Sequence, residues 1–135
     1  MSDWNTQIIE EFRANDGKVG GMFANATLLL LHTTGAKSGL ERINPMICMA
    51  DGDRYIVIAS KGGAPSHPDW YHNLVANPNV VVEVGTEQFT ATAAPAKEPE
   101  RTELYAKVAE IFPAFSEYEQ ATTRTIPVVI LTRQP

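Results

Sequence analysis

Residues 26–60 decide the fold and read ATLLLLHTTGAKSGLERINPMICMADGDRYIVIAS. This stretch contains three apolar runs of strand length, at residues 27–34, 43–49 and 54–60. The second and third runs are separated only by the Asp-Gly-Asp sequence at residues 51–53, which is typical of a tight hairpin turn. Adjacent short runs joined in this way predict antiparallel pairing.

Three further strands are predicted outside this stretch, at residues 80–84, 86–93 and 126–131. The first two form another hairpin around Gly85, and the second of them alternates apolar and polar side chains, as a half-buried strand does. About six mostly antiparallel strands tend to close into a barrel, because closure removes exposed edges. We therefore expect an α+β fold, a small β-barrel with flanking helices, and a single domain over residues 1–135.

The N-terminal segment, residues 1–16, is predicted to form an amphipathic helix. Ser2 can cap it, and Trp4, Ile8 and Phe12 recur every four residues, which places them on one face. Two alternatives remain for this face. Either it packs on the rest of the domain, or it acts as a lid or touches a membrane near a lipophilic substrate.

Three more helices are indicated. The first starts with Pro68 as its first helical residue and ends at residues 77–78. The next starts at residues 98–100, and a short one follows it to about Gln120. The inner face of the helix that starts at residues 98–100 is expected to carry Leu104, Val108, Ile111 and Phe112.

Composition excludes several classes of protein. The chain has 135 residues, of which 44% are hydrophobic and 20% charged, as in an ordinary globular protein. Its net charge of −5 argues against a nucleic-acid binder, which needs a basic face. The polar start does not resemble a signal peptide, and the one cysteine, Cys48, is interpreted as a small buried hydrophobe. A cytoplasmic location is expected, with a peripheral position at the inner membrane face as the variant.

Three cations punctuate a stretch that is otherwise poor in charge. Lys37 lies in a loop bounded by Gly35 and Gly39, Arg42 follows that loop, and Lys61 ends the third strand. Glycines let backbone N–H groups approach an anion closely, and lysine and arginine add charge. The pattern indicates a phosphate site. The alternative is a set of solvated loop side chains.

Other sites fit less well. The loop is not a P-loop, because Ala36 stands where that motif requires the glycine before its lysine. No glycine-rich turn of the dinucleotide-binding type joins a strand to a helix. His32, His67 and His72 lack the spacing of a metal site, so each is expected to be structural or solvent-facing and no metal is expected.

Ser60 ends the third strand, where its hydroxyl can donate a hydrogen bond to a ring carbonyl or nitrogen. Trp70 and Tyr71 follow and can offer a flat surface to a planar ring. The alternative for both aromatic side chains is packing in the core.

At these residues the sequence resembles a known family, the deazaflavin-dependent nitroreductases, also called coenzyme F-420-dependent quinone reductases. The resemblance runs from about residue 20 to the end. The matching stretches are LHTTGAKSG (31–39), RINP (42–45), ASKGG (59–63), DWYHNL (69–74), ANP (76–78) and RTIPVV (124–129).

The resemblance implies a split β-barrel and a deazaflavin cofactor that carries a phosphate and an acidic tail. Tyr118 matches a family tyrosine near the substrate and is a candidate proton donor, with Ser60 as the second candidate. The cofactor contacts that the family implies are Ala36, Lys37, Ser38, Arg42, Ile43, Asn44, Pro45, Met46, Ile47, Ile58, Ala59, Ser60, Lys61, Asp69, Trp70, Tyr71, His72 and Asn73.

The sequence departs from the nitroreductase pattern at three positions. Phe115 and Ile47 stand where the family has tyrosines, and Ala121 where it has an aromatic residue. These changes remove hydroxyl groups and enlarge the acceptor pocket. They disfavour nitroimidazole reduction and leave quinone or enone reduction open.

The predicted function is hydride transfer from reduced coenzyme F-420 to an organic acceptor such as a quinone, an enone or a nitro compound. The alternatives are a deazaflavin or flavin carrier without turnover and a flavin-mononucleotide oxidoreductase. Oligomeric state is left open.

Overall fold

The computed structural model describes residues 3–17 and 27–134. The predicted cap at Ser2 and the side chain of Trp4 lie outside the described part of the chain. The helices are α1 (Asp3–Ala14), α2 (Asp69–Ala76), α3 (Glu100–Ile111) and α4 (Ala114–Gln120). The strands are β1 (Leu28–Thr34), β2 (Glu41–Asp51), β3 (Arg54–Ile58), β4 (Asn79–Val84), β5 (Glu87–Pro95) and β6 (Val128–Arg133).

The six strands form one closed barrel in the order β1-β2-β3-β6-β5-β4, and every neighbouring pair is antiparallel. The prediction of a small antiparallel barrel with helices around it is confirmed. Both predicted hairpin turns are present, and Gly52 and Gly85 adopt positive φ angles of 65° and 57° there. Glycine adopts such angles without the steric cost that a side chain brings.

Strand β1 is buried on both of its faces, which explains its unbroken run of leucines. Leu29 and Leu31 point into the barrel, whereas Leu28 and Leu30 lie beneath α1. Cys48 lies in the barrel interior, and burial raises the pKa of its thiol to about 12. The interpretation of Cys48 as a small buried hydrophobe is confirmed.

Helices α3 and α4 cover a second apolar cluster on the outside of β3 and β6. Ile111 was expected on the inner face of α3, and this prediction is wrong because its side chain is 56% exposed. The buried residues are Arg101, Leu104, Tyr105 and Val108. Arg101 donates from Nη2 to the carbonyl oxygen of Ile126 at 2.8 Å, which turns this stripe, and not Ile111, toward the barrel.

Most predicted boundaries shift by one or two residues, and two of the shifts bear on the site. Pro68 is the residue before α2 and not its first residue, because its ψ of 155° is extended. Strand β3 ends at Ile58 and not at Ser60, since the φ and ψ of Ser60, −79° and −35°, are helical. A short 3-10 turn, Lys61–Gly63, follows.

Helix α1 is attached to the barrel by apolar packing and by a charged network. Phe12 is buried and Ile8 packs, partly buried, against the same cluster, so the packing alternative holds for these two residues of the predicted face. Arg13 donates two hydrogen bonds to the carboxylate of Glu83, at 3.1 and 2.7 Å. Glu83 also contacts His32, whose other ring nitrogen faces Glu41 at 3.2 Å. His32 is therefore structural, as expected. Within the described ranges, no helix is long and apolar enough to cross a bilayer.

Removing the side chain of Leu31 tests the barrel core. Leu31 is fully buried and Leu40 is 59% exposed, so the same substitution at Leu40 is the matched control. We expect Leu31→Ala to lower the free energy of unfolding by about 2–5 kcal/mol, because it leaves a cavity. Leu40→Ala should change it by less than about 0.5 kcal/mol. Urea denaturation measures both, and equal losses would contradict the assigned interior.

The Glu83 network predicts acid-sensitive stability. The hydrogen bonds from Arg13 lower the pKa of the Glu83 carboxyl below its ordinary value of 4.5. Since the folded-state pKa is depressed, this stabilisation is complete above about pH 4.5 and is lost as the pH falls through the folded-state pKa.

We expect Glu83→Gln to lower the free energy of unfolding by about 1–3 kcal/mol at pH 7. The difference between wild type and variant should shrink as the pH falls below 4.5. Denaturation curves between pH 7 and 3 measure this, and a difference that stays constant with pH would contradict the role of Glu83.

Candidate functional site

Strand β2 has one edge that is only half paired. Its residues 41–47 pair with β1, whereas its residues 48–51 pair with β3. Among the described residues, the edge of 41–47 that faces β3 has no strand partner. All five residues from 43 to 47 are half-buried, whereas a paired strand over a core alternates buried and exposed side chains. The barrel is split here, and the split exposes a strip of backbone and apolar side chains.

The loop between β1 and β2, residues 35–39, is closed on itself. The amide of Gly39 donates to the carbonyl of Gly35 at 2.9 Å, and the amide of Leu40 donates to Ser38 Oγ at 3.2 Å. A Cβ at position 35 would meet the Ser38 hydroxyl, which would then have to move from its place beside the Leu40 amide.

Asn73 of α2 fixes this loop to the barrel. Asn73 is buried, accepts a hydrogen bond from the amide of Ala36 at 3.0 Å, and donates to Thr33 Oγ1 at 3.2 Å. The amides of Lys37 and Ser38 have no acceptor in the part of the chain that the structure describes. These two amides are therefore free to bind an anion, whereas the Ala36 amide and the Asn73 side chain are engaged within the protein.

Lys37, Arg42 and Lys61 are exposed and form no salt bridge with any described carboxylate. Lys61 Nζ contacts only Ser66 Oγ, at 3.3 Å. Four other arginines do pair with carboxylates, namely Arg13, Arg54, Arg101 and Arg133. In a protein of net charge −5, unpaired cations beside free amides mark a place where an external anion is attracted.

The turn after β3 approaches α4 closely. Ser60 is buried, Lys61 has a φ of 50°, and Gly63 has a φ of 84°. A Cβ on Gly63 would lie 2.9 Å from Ala121 Cβ and 3.1 Å from the carbonyl oxygen of Tyr118. The turn of Ser60 and the helix of Tyr118, the two residues predicted to be catalytic, are therefore in direct contact.

Of the two tyrosines on α3 and α4, Tyr105 and Tyr118, only Tyr118 has a hydroxyl that makes no hydrogen bond to a described residue. Its half-buried ring packs edge-on against Phe115, with ring centres 5.6 Å apart. The Tyr118 hydroxyl has no hydrogen-bond partner among the described residues. Tyr105 instead donates its hydroxyl proton to the Phe115 carbonyl at 2.6 Å, and burial raises its pKa to about 12.

The remaining predicted contacts lie on α2 and at the end of β3. Trp70 packs partly against the barrel core, so core packing accounts for part of its role. Tyr71 lies against His67, with ring centres 4.9 Å apart, and His72 is exposed beside it. Asp69 is exposed in the first turn of α2. Ile58 and Ala59 are buried at the end of β3.

Sequence reasoning missed the contacts that Arg124 makes, including the one with His67. The guanidinium of Arg124 contacts His67 Nδ1 at 2.7 Å and donates to the carbonyl of Ser60 at 2.7 Å. Arg124 opens one of the stretches that carry the family resemblance, which was the available signal. No pattern in the sequence indicated that its target is the turn after β3.

Two surface clefts lie elsewhere. One, of about 370 Å³, opens between α3 and α4 around Arg101, Tyr105 and Glu119. The other, of about 250 Å³, lies between α1 and the β4–β5 hairpin around Arg13 and Glu83. No residue predicted to contact the cofactor lines either cleft. The split at β2 is the better candidate site, because it combines an open edge, free amides and unpaired cations.

Comparisons with known proteins agree with this geometry. A family model described as "F420H(2)-dependent quinone reductase" matches residues 4–133. The chain is 42% identical over 127 residues to an F420H(2)-dependent quinone reductase of Mycobacterium tuberculosis, which covers 91% of this chain and 85% of the relative.

Two solved structures share the fold. One is an F420-H2 dependent reductase, with a TM-score of 0.72, 40% identity, and coverage of 78% of this chain and 93% of the other. A second was solved as a domain-swapped dimer, with a TM-score of 0.74, 37% identity, and coverage of 96% and 97%. The barrel is thus the split β-barrel of these reductases, and the chain belongs to the F420H(2)-dependent quinone reductase family, whose cofactor is reduced coenzyme F-420.

Proposed function

We propose that this protein binds reduced coenzyme F-420 along the split at β2 and passes its hydride to a quinone. The observation that carries the proposal is the half-paired strand β2. Its open part carries Arg42 near one end and, at the other, Ile47, which packs against the same apolar cluster as Tyr118. The family supports an enzyme over the alternative of a carrier without turnover, because the relatives are named as reductases.

The anionic part of the cofactor fits the loop at residues 35–39. The amides of Lys37 and Ser38 donate to no acceptor among the described residues, so they can donate to phosphate oxygens. Lys37, Arg42 and Lys61 supply positive charge, and arginine can bind two oxygens at once. Ala36 can contact the cofactor only by packing and not through its amide, because that amide donates to Asn73.

The planar part of the cofactor fits the strip at residues 43–47. Ile43, Pro45 and Ile47 offer apolar surface that is half-buried before any ligand binds. A ring placed there covers this surface and excludes water from the site of hydride transfer. The buried Ser60 hydroxyl lies at the end of the neighbouring strand and can donate to a polar atom of the ring.

The bound cofactor supplies a hydride, and the protein supplies position and a proton. Quinone reduction adds one hydride and one proton to give the hydroquinone. The Tyr118 hydroxyl is free to donate that proton to a quinone oxygen, and solvent then restores it. Ser60 is the second candidate donor. A general acid must be within hydrogen-bond reach of the acceptor. The contact between α4 and the 3-10 turn supports this role for Tyr118, since that turn follows Ser60.

Acceptor choice follows from three positions. Ile47 and Ala121 bring no hydroxyl and little bulk to the region of Tyr118, which favours a large flat quinone over a nitroimidazole. Phe115 is buried under α3 and contributes through packing on the Tyr118 ring. Enones remain secondary candidates, and a cytoplasmic location suits an acceptor that reaches the site from solvent.

Neutralising the cations tests the anion site. We expect Lys37→Ala and Arg42→Ala each to raise the dissociation constant of coenzyme F-420 about tenfold, because each removes a charge-assisted contact. Lys107→Ala is the control, since Lys107 is an exposed lysine on α3. Fluorescence titration at low and high salt measures the constants, with flavin mononucleotide as the second ligand.

Binding of the wild type should weaken as salt rises, and the two variants should show a smaller salt effect. Unchanged affinity in both variants would remove the loop at residues 35–39 from the site. Preference for flavin mononucleotide would support the flavin alternative.

Turnover tests the role of Tyr118. We expect reduced coenzyme F-420 to be oxidised by the wild type with a soluble quinone, and Tyr118→Phe to lower kcat by about 100-fold with little change in cofactor affinity. Tyr55→Phe is the control, because Tyr55 packs against Phe89 on the barrel. Steady-state absorbance at several pH values measures the rates. Binding without turnover in the wild type would support the carrier, and full activity of Tyr118→Phe would make Ser60 or solvent the donor.

A further inference from the structure

The chain after β3 leaves the sheet with several carbonyl groups to satisfy. The amide of Ala59 still donates to the carbonyl of Pro127 at 3.0 Å, but the carbonyls of Ala59, Ser60 and Ala64 point away from any strand. Buried carbonyl groups without a donor are costly. One side chain, that of Arg124, donates to all three, and the Ser60 carbonyl also accepts from the amide of Gly63.

Arg124 uses its whole guanidinium on this segment. Its Nε donates to the Ala64 carbonyl at 2.9 Å, and its Nη2 donates to the Ser60 carbonyl at 2.7 Å. Both Nη atoms donate to the Ala59 carbonyl at 3.3 Å, and Nη1 also donates to His67 Nδ1 at 2.7 Å. These five contacts equal the five N–H groups that arginine possesses.

No described carboxylate pairs with Arg124, so backbone carbonyls and an imidazole are its partners. Because a guanidinium has no acceptor atom, His67 must accept through Nδ1 and carry its proton on Nε2. Burial and the charge of Arg124 both lower the pKa of His67, which keeps the ring neutral. The contact also joins the turn to the segment that leads into α2.

The segment that Arg124 holds is not in a relaxed conformation. Lys61 is a non-glycine residue with a φ of 50°, a region that costs energy for residues with a side chain. The amides of Gly63 and Ala64 close the turn on the carbonyls of Ser60 and Lys61, at 3.0 and 3.2 Å. Such a conformation persists only where its surroundings impose it.

We infer that Arg124 is a positioning residue, which clamps residues 59–64 and His67 so that Ser60 and Lys61 are held in place for the cofactor. The inference rests on the proposed function for the roles of Ser60 and Lys61. The clamp itself is a property of the cofactor-free chain. Lysine cannot replace arginine here, because an ammonium group is a point donor and cannot span three carbonyls and an imidazole.

Three variants test the inference: Arg124→Gln, Arg124→Lys and, as control, Arg133→Gln. Arg133 is exposed on β6 and pairs with Glu87, away from the turn. We expect both Arg124 variants to raise the dissociation constant of coenzyme F-420 about 10-fold to 100-fold in a fluorescence titration. The control should bind as the wild type does.

A second readout uses the cofactor-free protein. Hydrogen–deuterium exchange at the amides of Gly63 and Ala64 should become about tenfold faster in both Arg124 variants, at unchanged exchange in the barrel strands. Full rescue of exchange and affinity by Arg124→Lys would overturn the inference, because charge alone would then suffice. Unchanged exchange in Arg124→Gln would also overturn it. Faster exchange in a protein whose wild type does not bind coenzyme F-420 would refute the proposed function and leave the clamp confirmed.

If Arg124→Gln and Arg124→Lys fail to fold, an NMR measurement on the wild-type protein tests the inference instead. The Arg124 Nε–H resonance should be protected from solvent, and saturation with coenzyme F-420 should shift it together with the amides of residues 60–64. Saturation without any shift of these resonances would overturn the inference.

Discussion

The structure depends on how β2 is shared between its two neighbours. The strand is eleven residues long, and β1 takes one part of it while β3 takes the other. If β3 had continued along β2, the edge of β2 at residues 41–47 would be paired. Instead β3 ends at Ile58, and the chain turns away beneath α4. The open strip of β2 and the position of Ser60 both follow from that early ending.

The architecture was readable from the sequence because local signals were strong and mutually consistent. Apolar runs of strand length, separated by Gly52 and Gly85, specified the hairpins, and six such runs specified a barrel. The error at Ile111 has a physical origin in the packing of α3. Periodicity shows that a helix has an inner face, but the contacts that rotate this face, such as Arg101 on the Ile126 carbonyl, are made by residues distant in sequence.

The charged residues of the candidate site could be predicted from the sequence, but the residues that hold its loops in place could not. Lys37, Arg42 and Lys61 were visible because cations near glycines are rare in an acidic chain. Asn73 was counted as a direct contact, yet its side chain is spent on Ala36 and Thr33. The role of Arg124 was missed, because its partners are mostly backbone carbonyls. Every residue has a carbonyl, so the sequence does not show which ones an arginine binds. Family membership identifies the cofactor, whereas these contacts explain physically how the chain forms the candidate site.

The contact between Gly63 and Ala121 ties two properties of the enzyme together. One methyl group fills the space between the turn and α4, and Tyr118 sits one helical turn before it. A larger residue at 121 would reshape the acceptor side, and it would also push on the backbone that presents Ser60 and Lys61. On the proposed function, adaptation to a new acceptor through this position therefore carries a penalty in cofactor affinity.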